Sequence, residues 1–175
     1  MTAMLLLLLS QVNAAPLPAT DAIAHSLRDE TARRAFTVVL FFSRECPVQR
    51  SHDARLLELV RDFASKGVGF IAVDAQADAS LEKDTEAVRA RGYPFPIVVD
   101  PEGTWADALG VRFSTTLVVL DVRGRVRYRG GLDDDRVRLS TEATPLARRA
   151  LERLLAGQEP ERVETKALGC VLRRR

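Results

Sequence analysis

The stretch FTVVLFFSRECPVQR, residues 36–50, constrains the chain more than any other. Phe36, Val38, Val39, Leu40, Phe41 and Phe42 are β-branched, aromatic or aliphatic, the pattern of a strand buried on both faces of a sheet. Such a strand needs a layer of structure on each side. After Cys46 the apolar residues change to helical spacing, with Leu56, Val60 and Phe63 on one stripe and Leu57 and Ala64 beside it. Pro47 falls in the first helical turn, where its missing N–H costs nothing and its fixed φ suits the helix. Cys46 is thereby placed at a helix mouth, just past a buried strand. In an α/β sheet that edge is where ligands and chemistry collect.

The remaining pattern builds outward from this unit. The helix after Cys46 runs to about Ser65 and is ended by Gly67, and Val68 to Asp74 reads as a second apolar strand. A strand, helix, strand order predicts a parallel pair with a right-handed crossover. Leu81 to Arg91 reads as a surface helix, broken by Gly92, Tyr93, Pro94 and Pro96 before a short strand from Ile97 to Asp100. Thr104 to Leu109 reads as one or two helical turns closed by Gly110. Thr116 to Asp121 and Arg125 to Tyr128 flank Val122-Arg123-Gly124 as a β-hairpin, and Leu146 to Leu155 is an amphipathic helix stopped by Gly157. A mixed sheet with a parallel half, an antiparallel half and helices on both faces fits this order.

At 175 residues and 46% hydrophobic composition the chain can bury one substantial core without a disulfide scaffold. Its formal net charge is only +2, and arginines and acids alternate along the helices. That excludes a nucleic-acid stripe. The N-terminus carries Leu5 to Leu9 followed by small residues, which reads as a secretory signal cut after Ala14 or Ala15 and is too short to span a bilayer. Export would put Cys46 and Cys170, the only two cysteines, in an oxidising compartment.

A cysteine at a helix N-terminus meets unsatisfied N–H groups and the positive end of the helix dipole, which favour the thiolate. The thiolate is the nucleophile toward disulfides and peroxides. Arg44 and Arg50 would add to the effect and Glu45 would oppose it. Ser43 offers a hydroxyl either to the sulfur or to nearby backbone.

The strand ending in Ser43-Arg44-Glu45-Cys46-Pro47 and the hairpin after Asp121 resemble the thioredoxin-like superfamily, in its redoxin or peroxiredoxin-like branch. Two segments sharpen the likeness to exported redoxin domains. They are Arg127-Tyr128-Arg129-Gly130-Gly131-Leu132-Asp133-Asp134, and Glu164 to Cys170 with its C-terminal Gly-Cys. The resemblance implies a thioredoxin-like α/β fold and a thiol-based redox site, with Cys46, Cys170, Ser43 and Pro47 as its residues. It divides the chain into a signal peptide (1–14), a linker and N-terminal helix (15–34), a redoxin domain (35–157) and a tail carrying Cys170 (158–175). Gln49 stands at the second cysteine of a C-x-x-C pair. Val39 and Ser43 replace the proline and threonine of a peroxiredoxin P-x-x-x-T-x-x-C. Thr115 replaces the cis-proline of thioredoxins, and Arg112 and Arg129 are the arginines nearest to the place where a peroxidase keeps one over its cysteine, with surface salt bridges as their alternative role.

Cys170 then reads in three ways: a resolving thiol for Cys46, half of a permanent structural disulfide whose long loop contributes roughly 3 to 5 kcal/mol, or an unpaired tail thiol. The function expected is an exported thiol–disulfide redox protein acting on a protein dithiol, a disulfide or a peroxide. A thiol peroxidase and a non-catalytic accessory module with a structural disulfide are the alternatives. No cofactor, nucleic acid or stable membrane insertion is expected, and no metal, since Cys46, His52 and Cys170 are incomplete by ligand count and spacing. His52 reads as a solvated helix residue, Asp133, Asp134 and Asp135 as capping acids, and Tyr93, Phe95 and Trp105 as packing around the rim of the site.

Overall fold

Phe36–Phe42 forms β1, the centre of a five-stranded sheet, and each of its residues after Phe36 is buried. The computed structural model describes residues 33–135, 140 and 142–173. The expected signal peptide, and nearly all of the expected linker and N-terminal helix, fall outside them. β1 pairs in parallel with β2 (Val68–Asp74) and antiparallel with β4 (Leu117–Asp121). β3 (Ile97–Val99) extends the parallel half and β5 (Val126–Gly130) the antiparallel half, so the order is β3-β2-β1-β4-β5. The helices are α1 (Pro47–Ala64), α2 (Leu81–Ala90), α3 (Thr104–Ala108) and α4 (Leu146–Leu155). This is the mixed α/β sheet that the sequence pattern predicts.

The unbroken apolar run of β1 follows from its central place, because alternate residues of a strand enter opposite layers. Val38, Leu40 and Phe42 pack with Leu59 and Phe63 of α1 and Leu151 of α4. Val39 and Phe41 pack on the other face with Trp105 and Leu109. Trp105 is therefore core and not the rim of the site: α3 is only five residues long, and one large indole covers what a short helix cannot. The side chain of Asp100 anchors that helix by accepting from the N–H groups of Trp105 and Ala106.

The C-terminal segment differs most from expectation. Residues 158–173, expected as a polar tail, lie along the molecule as a strap. Arg129 N–H donates to Val163 O (2.8 Å) and Thr165 N–H to Arg129 O (2.9 Å), so the strap covers the outer edge of β5. A sheet edge left open would expose unpaired N–H and C=O groups. Gly130 permits the close approach, since a Cβ there would collide with the Thr165 side chain. Farther on, Leu172 is buried in the second core beside Trp105. The polar residues of the tail are its solvent side, and one leucine gives it an inner side.

Candidate functional site

β1 ends at Phe42, and the chain turns through Ser43, Arg44 and Glu45 into α1, with Cys46 as the N-cap residue and Pro47 at the start of the helix. Gln49 fixes this turn. Its Oε1 accepts from Ser43 N–H (3.0 Å), and its Nε2 approaches the Tyr93 hydroxyl at 3.5 Å. Fully buried, the side chain at the second position of a C-x-x-C pair is here a buttress for the loop.

Cys46 is 1% exposed and bonded to Cys170, 124 residues away, with the two Cα atoms 5.8 Å apart. The partner is delivered by antiparallel pairing of the strap with residues 112–114. Ser114 N–H donates to Cys170 O (2.9 Å), Leu172 N–H to Arg112 O (3.0 Å), and Phe113 bridges Val171. Cys170 N–H donates to Ser114 Oγ (3.0 Å) and lies 3.3 Å from Cys46 Sγ. The glycine of Gly-Cys has a steric cause. A Cβ on Gly169 would sit 2.6 Å from Thr115 Oγ1 and well inside van der Waals contact with Ser114 O.

Thr115 holds the other side of this contact. Its φ is +62°, and its hydroxyl faces the carbonyls of Ser114 and Leu168 while its N–H donates to Phe41 O (2.8 Å). A β-branched residue rarely adopts positive φ; the hydrogen bonds on both sides keep it there. No peptide bond among the described residues is cis. Thr115 thus belongs to the site as a clamp on the strap.

Several expected partners of the sulfur are engaged elsewhere. The Ser43 hydroxyl accepts from Gln76 Nε2 (3.3 Å), and Gln76 Oε1 accepts from the strap through Arg173 N–H (2.8 Å). Arg44 turns away to Asp84 (2.6 Å) and Asp78 (3.2 Å), and the Asp84 hydrogen bond holds its pKa above the usual value. Arg50 and Arg112 are exposed. Arg129 donates to Leu109 O (2.9 Å) and pairs with Glu164 (2.9 Å), so it pins the strap and does not stand over the cysteine. A guanidinium beside a carboxylate outweighs one facing an apolar disulfide, which is why these arginines leave the sulfur.

His52 is not the solvated residue that the sequence suggests. Its Nδ1 lies 2.7 Å from Val48 O and its Nε2 3.3 Å from Asp133 Oδ1, so both ring nitrogens face acceptors. The hydrogen bond to Asp133 raises its pKa against the opposing effect of burial. Burial pushes the Asp133 carboxyl up, but His52 and Arg55 (2.6 Å) together hold it below the usual range. Asp133 is an ion-pair partner for α1, not a helix cap. Leu168, His52, Gln49 and Thr115 line a cavity of about 20 Å³ between this pair and the strap. A second buried acid, Asp74 at the end of β2, is pushed up to about 7 by burial, with Asp84 adding to the shift.

Sequence reasoning named the two cysteines, Ser43, Pro47 and Thr115, which the structure gathers around the helix mouth and the strap, but did not name Ser114, Gln76, Leu172 or the ion pair. One signal was available: Val171-Leu172 is an apolar step inside a polar tail, directly after the cysteine, as expected for a docked segment. Among the described residues no group of three or more His, Cys, Asp or Glu is placed to hold a metal ion. No helix among them is long and apolar enough to cross a membrane.

A family model described as Redoxin matches residues 10–144. The disulfide partner Cys170 and the strap lie beyond that match. An uncharacterised conserved protein from Geobacillus kaustophilus has a similar structure, with TM-score 0.75 and 27% identity over 84% of this chain and 81% of its own. A hypothetical protein from Sinorhizobium meliloti has TM-score 0.75 and 24% identity, covering 84% of both chains. A putative thiol:disulfide interchange protein DsbE from Chlorobium tepidum is more distant, at TM-score 0.55 and 19% identity over 75% of this chain and 83% of its own. These likenesses agree on the thioredoxin-like fold. No curated protein matches the chain.

Proposed function

The chain belongs to the redoxin family, and from that premise we propose that it is an exported thiol–disulfide oxidoreductase whose redox couple is Cys46 and Cys170. The observation that carries this reading is the bond between a helix-mouth cysteine and a thiol held against it by the strap. Cys46 is the nucleophile of the couple, because the N–H groups of α1 stabilise its thiolate, and Pro47 sets the start of that helix. Cys170 is the second thiol of the couple, with Ser114 and Thr115 as its positioning residues. Ser43, Arg112 and Arg129 contribute through hydrogen bonds to the loop and the strap. The partners are protein dithiols or disulfides. Reduction of a peroxide is the weaker alternative, since the nearby arginines are committed to carboxylates and carbonyls or exposed.

The test is turnover of a protein disulfide such as insulin, with dithiothreitol as reductant. Cys46→Ser should abolish it while leaving the fold, read by circular dichroism, in place; unchanged turnover refutes the proposal. The burial of Cys46 supports a second reading, an accessory module with a structural disulfide. Under that reading the bond would resist dithiothreitol until the protein unfolds.

A further inference from the structure

The two cysteines of the bond are not equally open. Cys46 is 1% exposed, enclosed by α1, the Ser43 loop and the strap. Cys170 is partly exposed, next to Val171 at 63% and Phe113 at 36% exposure. Thiol–disulfide exchange needs an approach to the sulfur under attack and proceeds faster when the displaced thiol has the lower pKa. Both requirements select the same direction. The more open residue is Cys170, and the displaced sulfur sits at the N-terminus of α1, where a thiolate is favoured. Its Sγ also lies 3.3 Å from the Cys170 N–H.

We infer that Cys170, the thiol of the strap, is the sulfur through which this protein exchanges with outside thiols, and that Cys46 is the buried partner. This rests on the proposal that the pair is a working redox couple. In the reductive direction an external thiolate, R–S⁻, attacks Cys170 Sγ. The bond to Cys46 breaks, and Cys46 leaves as a thiolate with the electron pair, giving R–S–S–Cys170. A second R–S⁻ attacks the R sulfur of that mixed disulfide. It forms R–S–S–R and releases Cys170 as a thiolate, so two thiols are oxidised and one protein disulfide is reduced. The reverse follows the same path: Cys170 takes up the outside sulfur, and the Cys46 thiolate attacks the mixed disulfide on Cys170. Cys46 is thus the nucleophile of an internal step. The outside partner meets a thiol on an extended segment and not on a helix.

Trypsin separates the two cysteines cleanly, as Glu45–Arg50 and Ala167–Arg173. The oxidised full-length protein is mixed with reduced glutathione, quenched within seconds in acid and excess alkylating agent, digested and mapped by mass. Glutathione on Ala167–Arg173 together with an alkylated Cys46 supports the inference. Glutathione on Glu45–Arg50 overturns it and leaves the redox couple standing. A bond that yields to neither glutathione nor dithiothreitol in the folded protein overturns both. A second readout compares single-cysteine variants reacting with a chromogenic aromatic disulfide. Cys46→Ala, which leaves Cys170, should react faster than Cys170→Ala, which leaves Cys46; an equal or reversed order refutes the inference even if the intermediate is too short-lived to trap.

Discussion

Gly169→Ala tests how the strap sets the redox equilibrium. Residue 169 lies against the Ser114–Thr115 segment, and an added Cβ would be 2.6 Å from Thr115 Oγ1 and closer still to the Ser114 carbonyl. The carbonyl is backbone and Ser114 is paired to Cys170, so neither can give way while the bond holds the strap. Crowding of this kind costs about 1–3 kcal/mol. The cost falls on the oxidised form, because reduction removes the covalent tie and lets residue 169 move off. Destabilising the oxidised form makes the couple easier to reduce. At 30 mV for about 1.4 kcal/mol, the midpoint potential should become about 20–65 mV less negative. The assay equilibrates both proteins with thiol–disulfide buffers and counts free thiols by alkylation and mass. Gly157→Ala is the control: no atom lies within 4 Å of a Cβ there, and its φ of +72° strains the alanine equally in both redox states, so stability falls while the potential stays. An unchanged or more negative potential in Gly169→Ala, with the bond still forming, would show that the close approach at Gly169 does not govern the couple.

The His52–Asp133 pair predicts a stability profile. His52 is raised above 6.5, so its contribution is complete below that pH and lost as pH rises through the folded value. The Asp133 contribution is present above 3.8 and lost as pH falls. Denaturant midpoints against pH should therefore decline on the alkaline side, and Asp133→Asn should flatten that decline; an unaltered slope excludes the pair as its source. Asp74 acts in the same direction for a different reason. With a folded value of about 7 against 3.8, it binds a proton that the unfolded chain releases, so stability falls between those values as pH rises, by a few kcal/mol at most. Asp74→Asn should raise the midpoint above neutral pH, and a lowered midpoint there would mean that the carboxylate is held by more than its desolvation suggests. Leu172→Ala should cost about 2–5 kcal/mol and speed alkylation of Cys46 in the reduced protein. Unchanged labelling would mean that the strap does not cover the sulfur.

The sheet and its site edge were legible because their signals are local. Val38 to Phe42 read as a central strand and Cys46-Pro47 as the start of a helix, so the mixed sheet and the position of one cysteine followed from pattern. The partner was legible as a residue but not as a place. What puts Cys170 against Cys46 is pairing between residues 112–114 and 170–172, and backbone pairing leaves no pattern in side chains beyond the glycine that allows it. The partners of Arg44 and Arg129 were not legible for a related reason. Sequence separation from Cys46 says nothing about acids brought near by folding, and Asp84 and Glu164 attract these arginines more strongly than a neutral disulfide does.

Two different effects bring the cysteines together, and they set different properties. Closing a loop between residues 124 apart restricts the unfolded chain, a stabilisation of about 5 kcal/mol on chain-entropy grounds. That is a contribution to the stability of the whole fold. The docking of the strap rests on other contacts: Leu172 in the core, about 2 kcal/mol for its burial, and backbone hydrogen bonds from Leu172 to Arg112, Ala77 to Arg173 and Thr165 to Arg129, about 1 kcal/mol each. None of these needs the sulfur–sulfur bond. Reduction should therefore leave the strap docked at Thr165 and Leu172 while the Gly169–Cys170 stretch between them relaxes, so the two thiols stay neighbours and the bond re-forms readily. In a C-x-x-C pair one helical turn places both thiols; in this chain pairing of the strap with the segment before β4 places the second, and the contacts at Ser114, Gly169 and Leu172 are where its redox behaviour is set.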